Sequence, residues 1–201
     1  DVYKRQEIYL PEKTINSSYL KKRFSSFNKE KFENKIGIYE RRQSHFSQSS
    51  LELSINACKK LFEHTDKSDI DFIVYCTQTP KYILPGNSTQ LQSSLKLDCV
   101  PSFDFNLGCS GYVYGLGISK SLIESGLAKN ILLVTSDTYT KFINKKDKSN
   151  RSIFGDGSTC TLVDISLAKK MGKFVLGSDG SKHENLIIRN GGGYALSLIH
   201  I

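Results

Sequence analysis

The sequence predicts an α/β fold whose mainly parallel sheet is covered by helices on both faces. The segments 70–76, 101–107 and 130–136 are apolar almost throughout, which is typical of strands buried on both faces. They alternate with segments 49–62 and 110–125, where apolar residues recur at helical spacing. Alternation of such strands and helices favours parallel pairing through helical crossovers.

The other elements follow in chain order. A short strand at 8–13 is expected to end at Pro11, and a helix at 16–27 would be capped by Ser17 or Ser18. Charged residues 35–42 are expected to be extended. The Pro85-Gly86 break precedes a predicted helix, and Gly126 can end the helix 110–125. The helix after the Pro85-Gly86 break spans 87–97, and the remaining predicted elements are an irregular basic loop at 140–152 that borders a site and strands at 159–165 and 173–176.

The amino-acid composition limits the kinds of protein that this chain can be. The 201 residues are 38% hydrophobic and 24% charged, which suits one soluble domain. No apolar run is long enough to cross a bilayer, and no signal peptide opens the chain. The five cysteines form no CxxC pair, which predicts reduced thiols in a cytoplasmic protein rather than a disulfide framework or a zinc site.

The two ends look foreign to the rest of the chain. Residues 1–6 and 195–201 resemble translated sequencing-adapter text, and the only methionine is Met171. We therefore expect residues 7–194 to be the native domain and an internal fragment of a longer gene product.

The net charge is +8, with lysines dense in segments 21–35 and 141–151. These basic runs are either a solvated surface or an electrostatic footprint for an acidic partner. They lack the interleaved aromatics that nucleic-acid binding requires. A phosphate-bearing ligand or an acidic protein fits them better.

Cys109 is the strongest candidate for chemistry. It lies in segment 103–116 (FDFNLGCSGYVYGL), where Gly108 and Gly111 bracket it between a predicted strand and a predicted helix. The partial positive charge at the first turn of that helix favours a nucleophilic thiolate. A purely structural thiol would not need the glycines. Two further glycine clusters, 153–158 (IFGDGS) and 176–180 (LGSDG), are turn signals singly and fit no phosphate-loop pattern.

Taken together and in order, seven motifs resemble the β-ketoacyl-acyl-carrier-protein synthase III family. They are GIYERR at 37–42, TQTP at 77–80, CSGYVYGL at 109–116, SD at 136–137, FGDG at 154–157, GSDG at 177–180 and GGG at 191–193. The resemblance runs from about residue 7 to residue 194. It implies a thiolase-like fold, layered α-β-α-β-α and built from two similar halves, of which this chain holds the first.

The resemblance also implies a reaction that starts fatty acid synthesis. Cys109 would take an acyl group from acyl-CoA as a thioester, with its N–H as half of an oxyanion hole, and decarboxylation of malonyl-carrier protein would supply the attacking carbanion. Acyl-CoA and malonyl-carrier protein are substrates, so no cofactor or metal is implied. The acidic carrier protein is the implied partner. The family's histidine and asparagine partners match nothing here, and we expect a surface or turn role for His45, His64, His183 and His200.

Other family positions carry over by alignment. Lys35 and Lys148 match CoA-contacting arginines, and lysine keeps the charge but loses the bidentate geometry. Lys31 matches an aromatic that stacks on the CoA adenine. Tyr139 and Phe154 match acyl-pocket positions. Leu84 matches a side chain that reaches the partner subunit's pocket in a homodimer; plain core packing is the alternative for these last three residues.

Three other hypotheses stay open. A thiolase-fold relative could transfer the acyl group to another acceptor in a specialised-metabolite or surface-polysaccharide pathway, as the departures at Lys31 and Lys35 allow. A papain-like hydrolase would also use a cysteine, but the strand-to-helix setting of Cys109 argues against it. An inactive truncated scaffold is the expectation for this segment alone, because the family's other catalytic residues match nothing in it.

Overall fold

The structure, a computed structural model, describes residues 5–188. Its strands are β1 (Gln6–Tyr9), β2 (Lys13–Asn16), β3 (Glu40–Gln43), β4 (Phe72–Cys76), β5 (Ser102–Phe105), β6 (Asn130–Thr138) and β7 (Asp156–Asp164). Its α-helices are α1 (Ser17–Arg23), α2 (Lys29–Ile36), α3 (Ser50–Leu61), α4 (Asn87–Leu95), α5 (Gly111–Glu124), α6 (Lys148–Ile153) and α7 (Ile165–Lys170). These elements confirm the α/β fold class.

The main sheet has five strands in the order β1-β7-β6-β4-β5. β4 pairs in parallel with β5 and β6, whereas β7 pairs antiparallel with both β6 and β1. The sheet is therefore mixed, and the prediction of a mainly parallel sheet is wrong for β1 and β7. Parallel pairing needs a crossover along the sheet. Segment 139–155 supplies only one 3-10 turn and the six-residue helix α6, so the chain returns antiparallel.

Helices cover both faces of the main sheet, as the apolar strands predicted. On one face α3 and α4 pack against side chains that include Ile73 and Tyr75 of β4. On the other, α5 and α7 pack near Val74 of the same strand. Because successive residues of a strand point to opposite faces, a strand with both faces covered must be apolar at every position.

Several predicted elements at the amino end differ from the structure. The strand predicted at 8–13 is divided: β1 ends at Tyr9 and β2 begins at Lys13. The helix predicted at 16–27 ends at Arg23, and Asn16 caps it by accepting a 2.9 Å bond from the Tyr19 N–H. The predicted caps are wrong because Ser17 is buried and its Oγ donates to the Tyr39 carbonyl.

The helix α2 occupies part of the segment expected to be extended. Asn28 caps its start, and Gly37 ends it with a φ of 76°. None of its residues is buried, and Phe32 and Ile36 are its only apolar side chains, too few for periodicity to predict a helix.

The later part of the chain also departs from expectation. The strand predicted at 173–176 does not form: no described strand pairs with that segment, and Val175 is 96% exposed. The basic loop contains a 3-10 turn (Tyr139–Lys141) as well as α6. Gln6, in the segment expected to be foreign, begins β1 and pairs with Thr161. Residues 1–4 and 189–201, with GGG at 191–193 and His200, lie outside the described residues.

No helix among residues 5–188 has the length and apolar character to cross a bilayer.

Candidate active site

Cys109 lies in the turn that joins β5 to α5. Gly108 accepts a 2.8 Å hydrogen bond from the Gly111 N–H, and Ser110 is the N-cap residue of α5. The thiol side chain is exposed. The predicted strand–turn–helix setting is therefore confirmed, although Cys109 comes one residue before the cap rather than within the first helical turn.

Close packing beneath this turn accounts for both glycines. A Cβ on Gly108 would lie 2.6 Å from Oε1 of Gln78, and one on Gly111 would overlap the Sγ of Cys76. One helical turn further on, a Cβ on Gly115 would lie 2.5 Å from Cδ1 of Leu133 in β6. Larger residues would push the start of α5 away from the sheet.

A cavity of about 510 Å³ opens beside Cys109 at the edge of the main sheet. The cysteine turn, the ends of the central strands and two apolar residues near the amino end enclose it; its lining includes Ile8, Leu10, Cys76, Cys109, Tyr112, Ser136, Asp137 and Gly157. This volume is in the range of ordinary ligand-binding pockets.

Cys76 is a second thiol in the same cavity that the sequence reasoning did not single out. Its Sγ lies 3.1 Å from the Leu107 carbonyl and donates to it. Burial raises the pKa of Cys76 to about 11, so it remains a protonated thiol near neutral pH. Its position at the carboxyl end of a buried strand was the signal available in the sequence.

Asp137 joins two motifs whose relation the sequence left unexplained, SD at 136–137 and TQTP at 77–80. Its Oδ1 accepts hydrogen bonds from the backbone N–H groups of Gln78 and Thr79, at 2.9 and 3.0 Å, and from the hydroxyls of Thr77 and Thr79, at 3.1 and 2.9 Å. Burial raises the pKa of this carboxyl, and the hydrogen bonds, which lower it, offset only part of that effect. Asp137 thus fixes the segment that follows β4.

Asp156 of the FGDG motif does the same for two other segments. Its carboxylate accepts from the backbone N–H and hydroxyl of Ser44, both at 2.7 Å, and from those of Thr140, at 2.9 and 2.6 Å. The preceding Gly155 lets β3 approach closely, since a Cβ there would lie 3.1 Å from the Arg42 backbone. The motif is therefore a junction between the ends of β3 and β6.

Tyr139 and Phe154, the predicted acyl-pocket residues, are brought together. Their ring centroids are 5.2 Å apart, and the Tyr139 hydroxyl donates to Oε1 of Gln78. Burial, with the nearby Asp137 carboxylate, raises the pKa of Tyr139 to about 12. Both rings line a cavity of about 760 Å³ that also includes Tyr82 and Ile83, and neither lines the Cys109 cavity. Their acyl-pocket role stays a prediction.

Leu84 lies at the tip of an apolar loop and is 84% exposed, beside Ile83 at 71% and Tyr82 at 54%. Core packing, the alternative for this residue, does not occur in the structure. Its contact with a partner subunit stays a prediction.

The predicted CoA contacts lie on the basic surface. Lys35 and Lys31 are exposed on α2. Lys148 begins α6, and its Nζ donates to the Ser26 hydroxyl at 3.1 Å, so α6 meets the segment before α2. The described histidines, His45, His64 and His183, are exposed, and none of them lines the Cys109 cavity.

Comparisons with known proteins agree with this geometry. The family model described as 3-oxoacyl-[acyl-carrier-protein (ACP)] synthase III matches residues 103–180, which include Cys109. The β-ketoacyl-[acyl-carrier-protein] synthase III of Chlamydia muridarum is 33% identical over 188 residues, covering 92% of this chain and 57% of that protein.

Solved structures give the same picture. A crystal structure of a 3-oxoacyl-(acyl-carrier-protein) synthase III superposes with a TM-score of 0.84 at 37% identity, covering 90% of this chain and 56% of that one. A crystal structure of a 3-oxoacyl-(acyl-carrier protein) synthase from Burkholderia xenovorans LB400 gives a TM-score of 0.83 at 31% identity, covering 94% of this chain and 55% of that one. The chain thus spans a little over half the length of these relatives. Over that length it has the thiolase-like fold and belongs to the β-ketoacyl-[acyl-carrier-protein] synthase III family.

Proposed function

We propose that the protein is a condensing acyltransferase in which Cys109 carries the acyl group. The Cys109 thiolate attacks the thioester carbonyl of acyl-CoA, a new carbon–sulfur bond forms, and the CoA thiolate leaves. Malonyl-carrier protein then loses CO₂, its α-carbon attacks the Cys109 thioester, and the cysteine thiolate departs as β-ketoacyl-carrier protein forms. The exposed thiol beside a 510 Å³ cavity, within the matched family segment, carries this proposal.

The backbone at Cys109 suits the charge that develops in both acyl-transfer steps. Among the hydrogen bonds of residues 5–188, none uses the N–H of Cys109. An N–H just before a helix, with no hydrogen-bond partner among the described residues, is available to a thioester oxygen that gains negative charge. This N–H supports the assignment of one half of an oxyanion hole.

The other described cysteines are poorer nucleophiles. Cys58, Cys76 and Cys160 are buried, and burial raises the pKa of Cys58 well above its ordinary value and that of Cys76 to about 11. Cys76 lines the cavity but stays protonated and so supplies no thiolate, whereas Cys58 and Cys160 lie outside the cavity lining. Cys99 is the one other exposed cysteine, and it lies outside the Cys109 cavity.

The test is intact-protein mass spectrometry after exposure to acetyl-CoA. We expect one acetyl adduct on the unmodified sequence, none on Cys109→Ser, and full labelling of Cys99→Ser, the matched variant of an exposed thiol. Because the family's histidine and asparagine match no residue here, the experiment is run both on this chain and on the longer gene product. Equal labelling of Cys109→Ser and the unmodified protein in both would refute the proposal.

A further inference from the structure

We propose that a second cavity, walled by cationic side chains, binds a small phosphate-type oxyanion. This basic cavity has a volume of about 240 Å³ and lies between α1, the β2–β3 ribbon and the loop before α6. Five cations line it, and none of its lining residues carries a carboxylate; the cations are Lys13, Arg23, Arg41, Lys145 and Arg151. Like charges held together in this way repel each other unless an anion lies between them.

The fold brings together two basic runs that are far apart in the sequence. Arg23, in the run 21–35, donates from Nη2 to the carbonyl of Lys145, in the run 141–151, at 3.1 Å. The Lys148–Ser26 hydrogen bond ties the same two segments a little further along. The concentration of positive charge at this cavity is thus part of the tertiary structure and not a feature of one solvated helix.

Arg41 gives the cavity a buried donor that lacks a partner. The residue is 5% exposed, and its Nη atoms bond to the backbone carbonyls of Ile15, Ile38 and Ser152. Its Nε is buried and has no hydrogen-bond partner among the described residues. A buried unsatisfied donor on a cation is costly, and an anion in the cavity is a chemically suited partner.

The neighbouring guanidinium of Arg151 is held in a fixed orientation. Its Nε donates to the Asn144 carbonyl at 2.9 Å, and its Nη2 to those of Ile143 and Thr140 at 2.7 and 3.3 Å. None of the five cations forms an ion pair within residues 5–188. Glu33 near Arg41 and Asp147 near Arg151 offset part of this charge from outside the cavity. The backbone carbonyls fix both guanidinium groups in place, and the Nε of Arg41 and the Nη1 of Arg151 remain without a hydrogen-bond partner among residues 5–188, so each can donate to an oxyanion.

The size of the cavity limits the ligand. Pockets for drug-sized molecules are about 300–1,000 Å³, so a 240 Å³ cavity suits one phosphate group better than a whole nucleotide. It shares no lining residue with the Cys109 cavity, so this inference does not depend on the proposed catalytic function. The phosphate group has two possible sources: free inorganic phosphate, or a phosphate of CoA.

Isothermal titration of the protein with inorganic phosphate, against sodium chloride at matched ionic strength, tests the site. We expect saturable binding of one phosphate per chain, weakened about tenfold or more when one lining cation is neutralised. Lys13→Gln is the principal variant, since the Lys13 side chain is exposed and makes no hydrogen bond among the described residues. Arg151→Gln is the second variant. Its fold is checked by circular dichroism, because Arg151 also donates hydrogen bonds to the backbone of the loop before α6.

Lys22→Gln is the matched control, because Lys22 is an exposed lysine of α1 that does not line the cavity. It should bind phosphate as the unmodified protein does, and so should Cys109→Ser. Competition by CoA or dephospho-CoA would assign the site to a phosphate of CoA, and its absence to free phosphate. Absence of saturable binding above the chloride control, or Lys13→Gln and Arg151→Gln affinities equal to that of Lys22→Gln, would overturn the proposal.

Discussion

Gly111→Ala is expected to disturb the turn that carries Cys109, and Cys76 should be the cause. The added methyl group would overlap the Sγ of Cys76, which is 3% exposed and has little room to move. Overpacking of a buried site costs about 1–3 kcal/mol, whereas replacing glycine by alanine in a helix returns about 0.5–1 kcal/mol. The free energy of unfolding should therefore fall, by up to about 2.5 kcal/mol.

A double-mutant cycle isolates the contact. In a Cys76→Ala background the sulfur is gone, and Gly111→Ala should become neutral or stabilising by about 0.5 kcal/mol. Urea unfolding measures the stabilities, and the rate of Cys109 alkylation by iodoacetamide reports on the turn. Gly117→Ala is the control in the same helix, since its Cβ would meet the Phe174 ring at an ordinary 3.5 Å. A coupling energy below about 0.5 kcal/mol between positions 76 and 111 would show that the Cys76 sulfur is not the cause of the destabilisation.

Three further perturbations test the loops around the site. Burial opposes ionisation of Glu52, but hydrogen bonds from Lys81 and Ser49 outweigh it and lower its pKa to about 2. Glu52→Gln should therefore lose about 1 kcal/mol at neutral pH, discounted for exposure, and urea titrations should show this difference vanish as pH falls from about 4.5 towards 2. Asp137→Ala should lose about 3 kcal/mol and Asp137→Asn under about 1 kcal/mol, since Asn keeps an acceptor. Because the pKa of Asp137 is raised, its ionisation destabilises the folded protein, so the stability of Asp137→Asn relative to the unmodified protein should increase as pH rises from 3 to 8. Urea unfolding across that range measures this, and a stability difference that does not change with pH would contradict the prediction. The protein is expected to be a homodimer that Leu84→Glu breaks and Leu127→Glu, at a residue 71% exposed, does not; a monomer at micromolar concentration in sedimentation would count against this.

The spacing of apolar residues predicted correctly those helices and strands whose apolar side chains pack in the core. The helix expected at 49–62 forms as α3, with Ser49 as the cap, because its apolar residues face the sheet. The strand expected at 130–136 forms as β6 for the same reason. The helix α2 was not predicted, and its last two residues fall in the segment 35–42 that was expected to be extended. The strand predicted at 173–176 is wrong, because a local pattern does not show whether a partner strand exists.

The sequence predicted those parts of the candidate site whose geometry depends only on residues adjacent in the chain. Two glycines around a cysteine between a strand and a helix implied a tight turn, and the structure has one. The partners of the turn were not predictable, because they come from other strands. Cys76 lies 33 positions before Cys109, and Gln78 approaches Gly108 from the segment that follows β4. Only the strand order brings them together.

The two buried carboxylates show how the loops around Cys109 are held in place. The carboxyl ends of β4, β5 and β6 meet at one edge of the sheet, where the strand hydrogen bonding stops and loops must find other partners. Asp137 and Asp156 supply those partners, with four donors each. Burying a carboxylate is costly, and well-packed apolar residues often stabilise a core as much. What apolar residues cannot do is fix the position of backbone N–H groups. We therefore infer that these aspartates serve the geometry of the site more than the stability of the fold, and substitutions at them should alter Cys109 reactivity before they unfold the chain.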